Sequence, residues 1–368
     1  MKTLKILFTL TLTLTLFSCH VGRMIIYNVS DVNDYKKFPQ VTLQHPAESF
    51  HFTDAQKESL DTSIYPRSVI LDDKITDFPS MFERTKTTSF LIVKNDSIVF
   101  EQYFFGHSKE DVFTSFSVAK SYISALVGIA VDEGHIHSVQ DSITTYLTDF
   151  INPGFGKITI EHLLNMESGI RFRENYFNPF AEVTKYYYGL NLRKYVPKLK
   201  IEEDPGTFHY KSVNTLLLGM ILEKATGKSL QQYFQEKIWT PLGMEYDGTL
   251  NLDSEKGNMV KSFCGVNSTA RDYAKFGRLY MHNGMWNGKR IISEEWVLKS
   301  RTYYGSERAS IYYSYQWRID NNGNFWAQGH LGQFIFVSPR QNVIIVRTGK
   351  KYGAVNWPLI MARIAQKI

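Results

Sequence analysis

From about residue 80 onward the chain switches between short apolar runs with strand spacing and longer runs with helical spacing. Phe90-Leu91-Ile92-Val93 turns at Asn95-Asp96 into Ile98-Val99-Phe100, the pattern of a β-hairpin. Behind it, apolar residues at Val118, Ile123, Leu126, Ile129 and Val131 recur with helical spacing as far as Gly134. Further helical patterns cover Ile160 to Met166, Ser212 to Ala225 with Gly227 as a stop, and Leu230 to Ile238. Thr269 to His282, with Gly284 beyond it, and Glu294 to Ser300, behind a capping Ser293, follow in the same way. Strand patterns return over Tyr312 to Ile319, Phe334 to Val337 and Val343 to Arg347. Trp357 to Lys367 closes as a helix with Pro358 in its first turn. Strands at both ends with helices between predict a mixed α/β (α+β) fold. Its antiparallel sheet, flanked by helices, is assembled from distant parts of the chain, with an all-helical subdomain inserted over residues 135–290.

The first residues change the picture from a fold to an address. Met1-Lys2-Thr3-Leu4-Lys5 is basic, and the apolar, threonine-rich run from Ile6 to Phe17 is too short to span a bilayer comfortably, so residues 1–18 read as a secretory signal. Leu16-Phe17-Ser18-Cys19 resembles the lipobox of bacterial lipoproteins, in which the cysteine is lipidated and becomes the mature N-terminus. Phe17 departs from the usual small residue there, so cleavage by an ordinary signal peptidase stays open. The expectation is an exported envelope protein facing the periplasm, held at the membrane by lipid on Cys19. Residues 19–60 then form a polar tether and extension, and residues 61–368 the folded domain.

Length and composition narrow the function classes. A chain of 368 residues, 43% of them hydrophobic, can bury one large core. The net charge of +6 is spread without a basic run or an aromatic-basic stripe, which argues against nucleic acid as a partner. Of the two cysteines, Cys264 has no partner if Cys19 carries lipid, and it reads as a small buried residue. The ten histidines show no metal-ligand spacing, and the acyl-enzyme chemistry considered next needs neither a metal nor another cofactor.

The candidate chemistry is nucleophilic. Ser117-Val118-Ala119-Lys120 sets a hydroxyl and an amine one helical turn apart at the start of a mostly buried helix. First-turn N–H groups there favour developing negative charge. A serine beside a base is the minimum for acyl-enzyme chemistry. Well downstream, Tyr210-Lys211-Ser212 opens the next long helix.

Taken together, the segments resemble the serine β-lactamase and penicillin-binding-protein superfamily in its class C-like branch, over roughly residues 80–368. Besides Ser117 and Lys120, the resemblance rests on Leu163-Leu164-Asn165-Met166-Glu167-Ser168-Gly169-Ile170, Pro205-Gly206 before His209-Tyr210, Leu217-Leu218-Gly219, Ser268-Thr269-Ala270-Arg271-Asp272-Tyr273-Ala274 and the terminal hairpin. Within that superfamily the chain is most similar to the amide hydrolases related to 6-aminohexanoate-oligomer hydrolase. Glu174-Asn175-Tyr176-Phe177-Asn178-Pro179 with Glu182-Val183, Tyr210 through Thr215, and Gly329-His330-Leu331-Gly332-Gln333 carry that likeness. The resemblance implies hydrolysis of an amide, ester or peptide-like bond through an acyl-Ser117 intermediate, with Lys120 and Tyr210 sharing the roles of base and proton relay. Tyr176 would then sit on a loop that closes over substrate.

Two departures bear on substrate. The usual Tyr-x-Asn of the second motif is Tyr210-Lys211-Ser212 here, so a hydroxyl replaces an amide. The third motif, usually Lys-Thr-Gly or His-Thr-Gly, falls on Ala327-Gln328-Gly329 when counted back from Pro339, and not on His330-Leu331-Gly332. In that register the cation that usually grips a β-lactam or peptide carboxylate is missing, unless Arg271 or Lys211 replaces it. Gly329 becomes the motif glycine, and the His330 N–H joins that of Ser117 in an oxyanion hole. The rival enzymes, a β-lactamase and a peptidoglycan D,D-carboxypeptidase, are lowered by that missing charge. A non-catalytic, penicillin-recognising sensor is argued against by the joint retention of Ser117, Lys120 and Tyr210.

Overall fold

The computed structural model describes residues 20–27, 30–55, 74–150, 153–303 and 311–368; the leader and Cys19 lie outside them. An eight-stranded sheet is its centre. The strands are β1 (Thr53–Asp54), β2 (Thr87–Lys94), β3 (Ser97–Tyr103), β4 (Ile311–Ser314), β5 (Trp317–Asp320), β6 (Phe325–Gly329), β7 (Gln333–Ser338) and β8 (Val343–Gly349), in the order β4-β5-β6-β7-β8-β2-β3-β1. Val343 of β8 pairs with Lys94 of β2 and Arg347 with Phe90, so the first hairpin is joined to the last strands of the chain. Sheet assembly from distant segments follows the pattern read from the sequence. It is antiparallel throughout except at the edge, where β1 runs parallel to β3.

The continuous apolar runs of the strands are explained by burial on both faces. Phe90 and Ile92 of β2 point into one cluster, with Phe334, Phe336 and Ile345, under α2 (Phe78–Arg84) and the terminal helix α10 (Trp357–Lys367). Leu91 and Val93 point the other way, into the larger core. That core also takes α3 (Ala119–Asp132), α6 (Val213–Thr226) and α8 (Ala270–Met281). Tyr122 of α3 stacks on Phe276 of α8 with ring centroids 3.7 Å apart.

The remaining helices used below are α1 (His20–Tyr27), α4 (Ile160–Leu164), α5 (Glu182–Tyr188), α7 (Leu230–Phe234) and α9 (Glu294–Arg301). Several boundaries depart from the sequence patterns. Tyr312 to Ile319 is two strands, because Tyr315 (φ 46°) and Gln316 (φ 69°) take left-handed conformations and form a two-residue turn. Leu230 to Ile238 is α7 followed by a π turn over Gln235–Trp239. The inserted region is not all helical. Gly248–Asn251 and Val266–Ser268 within it form a second sheet with Gln40–Leu43 and Phe113–Thr114. The expected tether is therefore built into the fold along residues 40–55, through Gln40–Leu43 on this small sheet and β1 on the large one. Strands of two to four residues are too short to show a two-residue period in sequence.

One buried cation ties the sheet to the turn after β6. Arg347 of β8 is fully buried, with its guanidinium 4.0 Å from the centroid of the Trp357 ring. It donates to Thr87 Oγ1 (3.0 Å), to the carbonyls of Thr85 (3.1 Å) and Lys351 (3.0 Å), and to the carbonyl of Gly332. Burial lowers its pKa to about 9. The turn that it grips, His330–Gly332, carries one wall of the site described next.

Candidate active site

The small sheet delivers Ser117. Phe113–Thr114 pairs with Val266–Ser268, and the Ser115 N–H donates to the Val266 carbonyl at 3.0 Å. Phe116 then adopts φ 46°, a left-handed conformation that is unfavourable for a bulky residue and that proteins keep where the surroundings over-determine it. Ser117 follows in a short 3₁₀ turn, Phe116–Val118, and α3 begins at Ala119. The expected helix start is thus a strained turn leading into the helix. Gly329 presses on this turn from β6. A Cβ at position 329 would lie 2.2 Å from the Ser115 carbonyl oxygen, so only glycine lets the strand end approach so closely.

Lys120 is buried to 1% exposure. Its Nζ lies 2.9 Å from Ser117 Oγ and donates to the Phe263 carbonyl at 2.8 Å. The Tyr210 ring centroid is 5.2 Å from the same nitrogen. Residues distant in sequence therefore converge, and the first and second motifs meet at one amine.

The loop carrying Tyr210 is braced by the Leu163–Ile170 segment. Met166, at φ 64°, accepts from the His209 N–H through its carbonyl at 2.8 Å, and its sulfur faces the Lys211 N–H at 3.4 Å. Ser168 Oγ donates to Asn214 Oδ1 at 2.7 Å. Gly169 (φ 66°) leaves room for the Glu203 carbonyl, which a Cβ would meet at 2.1 Å.

Glu174 is the residue that sequence reasoning passed over. One carboxylate oxygen accepts the Tyr176 hydroxyl at 2.7 Å and also the Ser212 hydroxyl, while the other accepts the Ser212 N–H at 2.9 Å. Ser212, read as a substrate contact, therefore spends its hydroxyl on Glu174. Tyr176 reaches over the site, its ring 5.2 Å from that of His330, which in turn meets Phe116 edge-on at 5.5 Å. Burial, followed by the Glu174 charge, raises the Tyr176 phenol far above its ordinary range, so it is a neutral donor. Burial lowers the His330 pKa and favours its neutral imidazole. A signal for Glu174 did exist: it opens the Glu174–Pro179 segment that carries part of the resemblance.

These groups surround a mainly apolar cavity of about 30 Å³ lined by Phe116, Ser117, Tyr176, Val183, Phe263 and His330 among others. Cys264 also borders it, and burial pushes its thiol up to about 12, in keeping with an inert buried cysteine. Neither cation offered as a replacement for the third-motif lysine is free. Lys211 donates to the Ile170 carbonyl at 2.6 Å and lies 3.4 Å from Glu202. Arg271 forms a two-pronged pair with Glu101 at 2.8 and 2.6 Å. Among the described residues, no cluster of His, Cys, Asp and Glu could hold a metal ion.

Known proteins share this architecture. The family described as Beta-lactamase matches residues 77–356. The 6-aminohexanoate-dimer hydrolase of Paenarthrobacter ureafaciens is 27% identical over 312 residues, covering 78% of this chain and 77% of that one. Among solved structures, a Bacillus anthracis protein provisionally assigned as a 6-aminohexanoate-dimer hydrolase superposes with a TM-score of 0.80 at 24% identity, covering 93% of this chain and 97% of its own. A class C β-lactamase in complex with cefoxitin gives 0.62 at 15% identity, covering 79% and 96%. The chain belongs to the β-lactamase family and is a serine hydrolase of the acyl-enzyme type.

Proposed function

We propose that Ser117 attacks a linear amide or ester, with Lys120 and Tyr210 moving the proton. The observation that carries this assignment is the 2.9 Å contact between Lys120 Nζ and Ser117 Oγ under the Tyr210 ring. In its neutral form Lys120 takes the Ser117 proton as Oγ attacks the carbonyl carbon. The N–H groups of Ser117 and His330 serve the resulting oxyanion, an effect worth about 3–4 kcal/mol per donor in other enzymes. Tyr210 passes the proton to the departing amine or alkoxide, leaving the acyl group on Ser117. Water, deprotonated by the same pair, then attacks the ester, and Ser117 leaves with its proton restored. Tyr176, fixed by Glu174, closes the site over the acyl chain.

A linear substrate is favoured over a β-lactam or a D-Ala-D-Ala peptide because Ala327 stands where the gripping cation usually is, with Lys211 and Arg271 both engaged elsewhere. The relative from Paenarthrobacter ureafaciens is named for an amide of this linear kind.

We also propose the envelope as the location, with lipid on Cys19. Two features agree with a lipid surface near the start of α1. The His20 ring is within hydrogen-bonding reach of the Pro179 backbone, and Phe177 and Phe180 on either side of that proline are each 72% exposed. Among the described residues no helix is long and apolar enough to cross a membrane.

Three outcomes are expected. Ser117→Ala abolishes turnover of a p-nitrophenyl ester with the circular-dichroism spectrum unchanged. Lys120→Ala and Tyr210→Phe each lose several orders of magnitude in kcat, and the double variant loses far less than the product of the two, because groups acting as a unit are not additive. A variant of Ser117 that keeps more than a few per cent of kcat points to another nucleophile. Second, kcat/KM for nitrocefin falls below that for the ester and for a linear aminohexanoate amide. The missing charge-assisted contact is worth about 1.5–3 kcal/mol, or roughly 10- to 150-fold. Nitrocefin turnover above that of the ester reverses the preference. Third, labelled palmitate is incorporated into the protein in bacterial cells and Cys19→Ser removes the label; a wild-type protein without lipid removes the anchor.

A further inference from the structure

The sequence pattern anticipates a polar tether after Cys19, but the fold leaves no length for one. α1 begins at His20, and consecutive Cα atoms lie about 3.8 Å apart, so a single peptide bond separates Cys19 from a folded helix. That helix is fixed to the domain. Arg23 is buried, with its guanidinium 5.3 Å from the centroid of the Tyr27 ring and 5.8 Å from that of Phe38. Tyr27 meets Tyr188 of α5 with ring centroids 6.3 Å apart, and Phe38 meets Tyr187 edge-on at 5.3 Å. Asp34 accepts the Tyr187 hydroxyl at 2.9 Å. A lipid on Cys19 therefore sets the orientation of the whole domain, where a lipid on a loose tether would set only its distance from the bilayer.

The surface around this junction carries the three most exposed large hydrophobic side chains among the described residues. Phe177 and Phe180 are each 72% exposed and Ile25 of α1 is 71%, against 51% for the next, Phe105. Ile26 of α1 is exposed as well. His20 reaches the backbone of Pro179, which lies between the two phenylalanines in the chain. Bonds within the loop hold its backbone with both rings outward. Arg173 pairs with Glu182 at 2.7 Å and donates to the Phe180 carbonyl at 2.8 Å, and Thr184 Oγ1 donates to the Asn178 carbonyl at 2.8 Å.

Single exposed apolar residues are ordinary, whereas grouped ones mark an interaction surface. Aromatic and aliphatic side chains on such a surface settle at the boundary between lipid headgroups and acyl chains, about 5–10 Å deep. Two or three of them hold a free protein only weakly. An anchor one residue away makes the contact intramolecular and raises its effective concentration, so a small patch is enough.

Resting on the reading of Cys19 as a lipid anchor, we propose that α1 and the loop over residues 174–181 seat on a lipid bilayer, with Ile25, Phe177 and Phe180 entering its headgroup boundary. The consequence reaches the site. Tyr176, the neighbour of Phe177, lines the Ser117 cavity, and so does α5 through Val183, Thr184, Tyr187 and Tyr188. Ser30, three residues beyond the end of α1, lines it as well. The cavity then lies within about 10 Å, one helix diameter, of the seated face, and the loop that closes over it rests at the lipid boundary.

All six tryptophans of the chain are buried, so one added at the surface reports on lipid contact. The full-length protein, isolated from cells fed labelled palmitate, is reconstituted in phosphatidylethanolamine–phosphatidylglycerol vesicles whose lipids carry bromine near the head of the acyl chain. Ile25→Trp, Phe177→Trp and Phe180→Trp should each lose most of the added emission, and Leu359→Trp, on α10 across the large sheet, should keep it. Adding Phe177→Ser and Phe180→Ser to Ile25→Trp should leave the palmitate label in place and restore the emission. Palmitate-bearing protein that shows no quenching at these three positions, or equal quenching at Leu359→Trp, overturns the seating. So does a doubled mass in solution that the two serine substitutions abolish, which assigns the face to a second copy of the chain. A protein that takes up no palmitate shows instead that the anchor itself has failed, and the seating falls with it.

Discussion

Everything at the site depends on keeping an amine buried beside a serine. An ammonium taken out of water and left unpaired is costly, by several kcal/mol even after relaxation. Among the described residues no carboxylate is bonded to Lys120; it is held by the Ser117 hydroxyl, the Phe263 carbonyl and the face of Tyr210. Two neutral oxygens and a ring hold the amine in place; under the proposed mechanism, in which it serves as base for Ser117, that choice of partners belongs to the chemistry as well as to the fold.

The surroundings keep that geometry fixed. Phe116 remains left-handed because the small sheet fixes Ser115 on one side and α3 fixes Ala119 on the other. Gly329 lets β6 close on the Ser115 carbonyl, and Arg347 holds the following turn from beneath. Glu174 does the same on the opposite wall, binding Tyr176 of the loop and Ser212 at the start of α6 through one carboxylate. The site is thus a junction of three separately built walls, which accounts for a sheet drawn from both ends of the domain.

Much of this was legible in the sequence, for a physical reason in each case. Ser117 and Lys120 could be paired because a spacing of three residues puts side chains together on any helix, and the amphipathic run behind them showed where the helix lay. The strands β2, β7 and β8 announced themselves through long β-branched and aromatic runs. Tyr210 came only through resemblance, since its approach to Lys120 depends on a loop braced by Met166. Glu174 stood in a segment that carries part of the resemblance, but nothing in its pattern showed that it meets Tyr176 and Ser212. The strands at Gln40–Leu43 and Gly248–Asn251 were hidden by their shortness, and the turn at Tyr315–Gln316 by the absence of glycine or asparagine where the backbone turns left-handed.

The central claim is that the acyl group passes through Ser117, and direct detection of that species tests it. Rapid quenching of the protein with a slowly deacylating p-nitrophenyl ester, followed by proteolysis and peptide mass mapping, should place a single acyl group on Ser117 during the burst of nitrophenol. An acyl group on any other side chain, or turnover without a covalent adduct, would contradict the account.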